Sequence, residues 1–233
     1  MCTLTFFPTH NNGFILTSNR DESPRRETKP PDFYMEEGTR LLYPRDMQAG
    51  GTWIGVSAKQ RVVCLLNGGF TAHEREAEYR MSRGIIVKDL LLAEDPLPTI
   101  DKYDFHGIEP FTVVVVDWNE SLRIFELVWD GVDSHLSEKP LSPMIWSSSL
   151  LYTDWMKKKR EQWFSEFLME DPGPSERSLM NFHSKTGDAG SDYDLIMDRG
   201  FVKTKSITQI VYASELTMQY IDLQLNEVTT KTF

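Results

Sequence analysis

Two groups at the amino terminus can act together: the thiol of Cys2 and, once Met1 is removed, the α-amine of the same residue. A thiol attacks a carbonyl only as thiolate, and with a pKa of about 8.5 it is mostly protonated at neutral pH. An α-amine, with a pKa of about 7.7 to 8.0, is basic enough to take that proton directly or through one water. The threonine form of this pairing is a recognised catalytic arrangement. Downstream stands Asn19-Arg20-Asp21-Glu22. Residues 2 to 7 and 13 to 18 read as strands joined by the turn-prone His10-Asn11-Asn12-Gly13, and such a hairpin returns Asn19 to Asp21 to the neighbourhood of Cys2. Asp21 can then accept hydrogen bonds from the ammonium or orient the thiol, while Arg20 can favour the thiolate or bind an acidic substrate. The same residues also read as an ordinary strand residue and a polar turn, and spacing alone does not separate the two.

The elements that must hold these groups come from a chain of 233 residues, 40% hydrophobic and 12% aromatic, enough for one substantial core over 1–233. A net charge of −10 disfavours a nucleic-acid partner, which needs clustered Lys and Arg. Two cysteines, Cys2 and Cys64, make no disulfide framework and suit a reducing compartment, with Cys64 expected in the core. No secretory leader and no eighteen-residue apolar run is visible, so a soluble cytoplasmic protein without a membrane span is expected. The five histidines lack zinc spacing, and no phosphate-cradling or dinucleotide glycine loop appears, so neither a metal nor a cofactor is expected.

Along the chain, Ser23 to Pro31 reads as an ordered polar loop. Strands follow at about 52 to 57 and 61 to 67, the second ending at Asn67-Gly68-Gly69, where an amide and a permissive backbone meet. Asn67 there is either an oxyanion donor or a turn residue. Gly50 and Gly51 mark either a bulge or a close approach. A helix is expected over 79 to 93, opening around Ser82-Arg83-Gly84, and strands over 111 to 117 and 122 to 129. After a short strand or turn at 144 to 149, a helix from Thr153 or Asp154 to about Met169 turns Trp155, Trp163, Phe164, Phe167 and Leu168 inward. A shorter helix spans about 175 to 183, then a polar loop over 186 to 194, then strands near 206 to 213 and 217 to 224.

Cys2, Asn19-Arg20-Asp21-Glu22, Arg45-Asp46 with Gly50-Gly51-Thr52-Trp53-Ile54-Gly55, Asn67 and Ser82-Arg83-Gly84 together resemble the NRDE family, also called the transport and Golgi organization family, along nearly the whole chain. That family looks like a branch of the N-terminal nucleophile hydrolases, and its opening is similar to the bile-salt and penicillin amidases. The resemblance implies an α+β fold, a four-layer αββα sandwich. It further implies Cys2 as nucleophile, Arg20 and Asp21 lining the site, and Asn67 near the oxyanion. Asn19, Gly51, Thr52, Trp53 and Ser148 are the positions it implies for a small-molecule substrate. Ser148 stands where the hydrolase relatives carry a second oxyanion amide, and loss of such a donor costs about 3 to 4 kcal/mol of transition-state stabilisation. Two functions follow: hydrolysis of a non-peptide carbon-nitrogen bond, or a non-catalytic scaffold tied to secretory-pathway organisation or haem or lipid handling.

Overall fold

The computed structural model describes residues 3–185 and 192–233. Cys2 and residues 186 to 191 of the expected polar loop lie outside the described residues. Thr3–Pro8 forms β1 and Phe14–Glu22 forms β2; β3 (Thr28–Glu36), β4 (Thr39–Asp46), β5 (Ile54–Ser57) and β6 (Arg61–Asn67) follow. Helices α1 (Arg83–Leu92) and α2 (Pro96–Lys102) precede β7 (Phe111–Asp117), β8 (Arg123–Trp129), β9 (Ser134–Lys139) and β10 (Met144–Ser147). The chain continues through α3 (Asp154–Glu170), α4 (Glu176–His183), β11 (Lys203–Tyr212), β12 (Leu216–Asp222) and β13 (Glu227–Thr232).

These elements form two compact units, one of Met1–Arg26 with Ser142–Phe233 and one of Glu27–Leu141. In the first, six strands run antiparallel in the order β10-β1-β2-β11-β12-β13. Asn11 and Asn12, both at positive φ (59° and 58°), make the β1–β2 turn, which favours residues tolerant of the left-handed region. Helices α3 and α4 lay an apolar stripe on this sheet: Phe164, Leu179 and Phe182 pack with Ile15 and Leu195. Ser175 caps α4 in a reciprocal box with Ser178, and the Thr153 hydroxyl accepts from the Met156 amide to start α3. Trp155 departs from expectation, being 54% exposed; it sits in the first turn of α3 and meets Tyr193 edge-on, its ring centre 5.1 Å away.

The second unit is a seven-stranded antiparallel meander, β3 to β9 in chain order. The valines of β7 are buried and form a hydrophobic centre with β6, where Cys64 is also buried, as its sequence setting predicts. Helix α1 opens at the Ser82 cap, within the expected Ser82-Arg83-Gly84 step, and its first residue, Arg83, lies four positions after the start of the 79 to 93 span. Its first turn meets the β5 approach backbone to backbone: a Cβ at Gly51 would lie 2.6 Å from the Gly84 carbonyl carbon, and one at Gly84 would lie 2.8 Å from the Thr52 oxygen. The Thr52 amide donates to that Gly84 carbonyl at 3.2 Å. The two glycine motifs thus create one contact. The Ser23 to Pro31 stretch is not loop throughout. From Thr28 it is edge strand β3, whose register shift between Lys29 and Asp32 accommodates Pro30 and Pro31.

Candidate active site

Strand β2 carries Asn19, Arg20 and Asp21 inside its ladder rather than at its end, with a register shift of β11 between Thr204 and Ser206 opposite Asp21 and Arg20. Asn19 pairs with Thr3 of β1, while Asp21 pairs with Thr204 and Glu22 with Lys203 of β11. Side chains alternate along a strand, so Arg20 and Asp21 face opposite sides of the sheet. Arg20 shares its side with Ser206 and Tyr220. Burial and the Asp222 charge push the Tyr220 phenol up to about 12, although the Ser206 hydroxyl and Arg20 act the other way. Asp21 and Asn19 face the helices.

Asp21 is buried, and both its oxygens are held: the Thr204 hydroxyl donates to Oδ1 at 2.5 Å and the Tyr152 hydroxyl to Oδ2 at 2.7 Å. Thr204 Oγ1 in turn accepts from the Met197 amide at 2.9 Å. The Tyr152 ring lies beneath Arg160, whose guanidinium carbon is 3.6 Å from the ring centre. Arg160 is fully buried in α3 and donates to the Tyr193 and Asp194 carbonyls and to the Thr3 hydroxyl. A charged network therefore joins Asp21 to Thr3, the residue covalently bound to Cys2. Hydrogen bonds to charged groups contribute about 1.5–3 kcal/mol each, and a buried carboxylate lacking them is strongly disfavoured.

Asn19 makes a second clamp. Its Nδ2 donates to the Leu195 carbonyl at 2.6 Å and the His183 carbonyl at 3.0 Å, which fixes its Oδ1 as the acceptor for His183 Nδ1 at 2.7 Å. His183 Nδ1 must then carry the proton, leaving Nε2 to accept from the Thr5 hydroxyl at 2.7 Å. Burial, helped by the Arg160 charge, lowers the His183 pKa to about 3, so the ring is neutral at physiological pH.

Ser148 is buried just past β10 and accepts the Tyr152 amide through its carbonyl at 3.2 Å. The remaining sequence candidates belong to the second unit. Asn67 ends β6 opposite Phe111; next to it Gly68, at φ 89°, donates to the Pro110 carbonyl. The Thr52 hydroxyl bonds its own segment at the Ile54 carbonyl, and Trp53 is buried with its carbonyl accepting from the Leu65 amide. Gly51 makes the α1 contact already described. Sequence reasoning missed Glu109, a buried carboxylate meeting Arg83 at 3.0 Å, Arg75 at 3.2 Å and His73 at 3.4 Å; Arg83 also donates to the Pro110 carbonyl. Arg83 thereby fastens the start of α1 to the segment entering β7. Among the described residues no three His, Cys, Asp or Glu side chains converge as a metal site requires, and no helix is long and apolar enough to cross a membrane.

Residues 1–221 match the family Transport and Golgi organisation 2. The chain belongs to that family. A member from Mus musculus, the Transport and Golgi organization 2 homolog, is 30% identical over 171 residues, 67% of this chain. The match spans 60% of that relative's length. Among solved structures the chain is similar to the Caenorhabditis elegans ortholog of N-acylethanolamine-hydrolyzing acid amidase, with TM-score 0.59 and 12% identity over 90% of this chain and 92% of that one. Penicillin V acylase from Agrobacterium tumefaciens gives 0.58 and 10%, covering 100% and 86%. A variant of conjugated bile acid hydrolase from Clostridium perfringens gives 0.52 and 10%, covering 100% and 97%. These likenesses show the fold alone, the α+β class that the resemblance implies, with two antiparallel sheets and four helices among the described residues.

Proposed function

We propose that this chain is an N-terminal nucleophile hydrolase that cleaves a non-peptide amide bond of a small molecule, with Cys2 as nucleophile after removal of Met1. The observation that carries the reading is the Asp21 carboxylate, buried and fixed by two hydroxyls on the strand paired with β1. Such a carboxylate can hold an α-amine in place while that amine exchanges a proton with the thiol. Attack of the thiolate on the amide carbonyl forms a carbon-sulfur bond. Collapse of the tetrahedral adduct breaks the carbon-nitrogen bond, the amine leaves with the proton, and water then releases the acyl group as a carboxylic acid. Asn67 enters as an oxyanion donor, and Asn19, Gly51, Thr52, Trp53 and Ser148 as substrate positions, through their match to the family motifs. A free N-terminal thiol suits a reducing, cytoplasmic setting.

Intact mass and turnover test this together. The purified protein is expected to lack Met1 and to release amine from at least one of an N-acylethanolamine, a conjugated bile acid or penicillin V, the amide types named for the similar structures. Cys2→Ala is expected to lower that rate by roughly a thousandfold or more. Retained Met1, or full turnover by Cys2→Ala, overturns the reading. Ser148 in place of an amide favours a second one, a non-catalytic binding scaffold, in which ligand binding survives alkylation of Cys2 and no amide is cleaved.

A further inference from the structure

We propose that Tyr152 is a positioning residue that acts on the amino-terminal nucleophile through Asp21, an inference that rests on the function proposed above. The carboxylate of Asp21 has no freedom to rotate about its last bond while Tyr152 holds Oδ2 and Thr204 holds Oδ1. The two hydroxyls come from different places, Thr204 from the neighbouring strand and Tyr152 from the turn before α3, so neither alone fixes the plane of the group. Tyr152 is itself immobilised. Its ring lies under Arg160 at 3.6 Å, with Arg199 at 5.4 Å, and packs with Met197. Arg160 continues the chain of contacts to the Thr3 hydroxyl, one residue from Cys2. Beside the β1–β2 ladder itself, one aromatic ring and one guanidinium therefore tie the Asp21 side chain to β1. A phenol donates only one hydrogen bond here, and removing its oxygen leaves the ring and the Arg160 stack in place. Tyr152→Phe thus separates orientation of the carboxylate from packing.

The experiment is a double-mutant cycle on the full chain, reading the second-order rate of Cys2 alkylation by iodoacetamide from peptide masses. Cys64, fully buried, serves as the unreactive internal reference. Wild-type Cys2 is expected to react faster than Cys2 in a synthetic peptide of residues 2 to 8. Tyr152→Phe is expected to slow it by about tenfold while the chain stays folded, with the thermal midpoint lowered by roughly 3–10 °C through the lost hydrogen bond. In an Asp21→Asn background the same substitution is expected to have no further effect, because the group it orients is gone. Thr204→Val run through the same cycle gives a second, independent arm should Tyr152→Phe fold poorly. Effects that multiply instead of saturating, or a Tyr152→Phe rate equal to wild type, overturn the positioning role while leaving Cys2 as nucleophile. A wild-type rate no greater than the peptide's overturns both.

Discussion

At the scale of single residues, the region around Asp21 is built from polar groups that are buried and nonetheless satisfied. His183 shows what this demands. Its pKa falls from the ordinary 6.5 to about 3 because burial disfavours the imidazolium. The unfolded chain then binds a proton below about pH 6.5 that the folded chain refuses until about pH 3, so stability is lost as pH falls through that window. The slope approaches about 1.4 kcal/mol per pH unit well below pH 6.5, and the loss between pH 6.5 and 4.5 comes to roughly 2 kcal/mol. Urea unfolding at pH 7 and pH 4.5 checks this: wild type is expected to lose more stability than His183→Gln over that interval, even though the variant is less stable at pH 7. Asn19 works with His183 and not alone. Asn19→Ala removes the acceptor for Nδ1 and both donors to carbonyls, and is expected to cost about 2–4 kcal/mol by the same measurement at pH 7.

At the scale of elements, the two glycine motifs are one joint. Gly51→Ala places a methyl group 2.6 Å from a backbone carbon that no side-chain rotation can move. Gly50, by contrast, has open space around its would-be Cβ. A shift of β5 against α1 is required at Gly51, and a destabilisation of about 1–3 kcal/mol is expected, seen as a drop of roughly 3–10 °C in thermal midpoint. The joint was readable from Gly50-Gly51-Thr52 and Ser82-Arg83-Gly84 as motifs, though not as partners. Other elements divide the same way. The β1–β2 hairpin was legible because Asn11-Asn12-Gly13 announces a turn between apolar runs, and α1 because Ser82 caps a periodic stretch. The continuation of β2 through Asn19 to Glu22 was not, since its justification is a ladder to β11 some 180 positions away, as in the Asp21–Thr204 pair. β9 and β13 were hidden by polarity: each lies at the edge of its sheet and carries mostly exposed side chains. Arg160 and His183 left a fainter trace. Each interrupts the apolar stripe of its helix, Arg160 ahead of Phe164 and Phe167, His183 beside Leu179 and Phe182, and a polar residue in such a stripe must find partners inside.

At the scale of the whole molecule, one unit is continuous in sequence and the other is assembled from both ends of the chain. Unit 2 closes its strands with near neighbours only, whereas the first sheet inserts β11 next to β2. A chain ended after residue 202 lacks β11 to β13. Hydrogen exchange of that truncation is expected to show the β2 amides exchanging at near-unfolded rates, against strong protection in the full chain. Retained protection would mean that the β1–β2 hairpin and helices suffice without the ladder.

The β2–β11 pairing also sets a clock on the ribosome. Asp21 emerges early, but the Thr204 hydroxyl that completes its carboxylate is made 183 residues later. At typical synthesis rates that interval is roughly 10 to 40 s. Through all of it Asp21 lacks one of the two hydroxyls that fix its carboxylate. On the function proposed above, the oriented carboxylate that serves Cys2 is withheld from the growing chain and delivered only to the finished one.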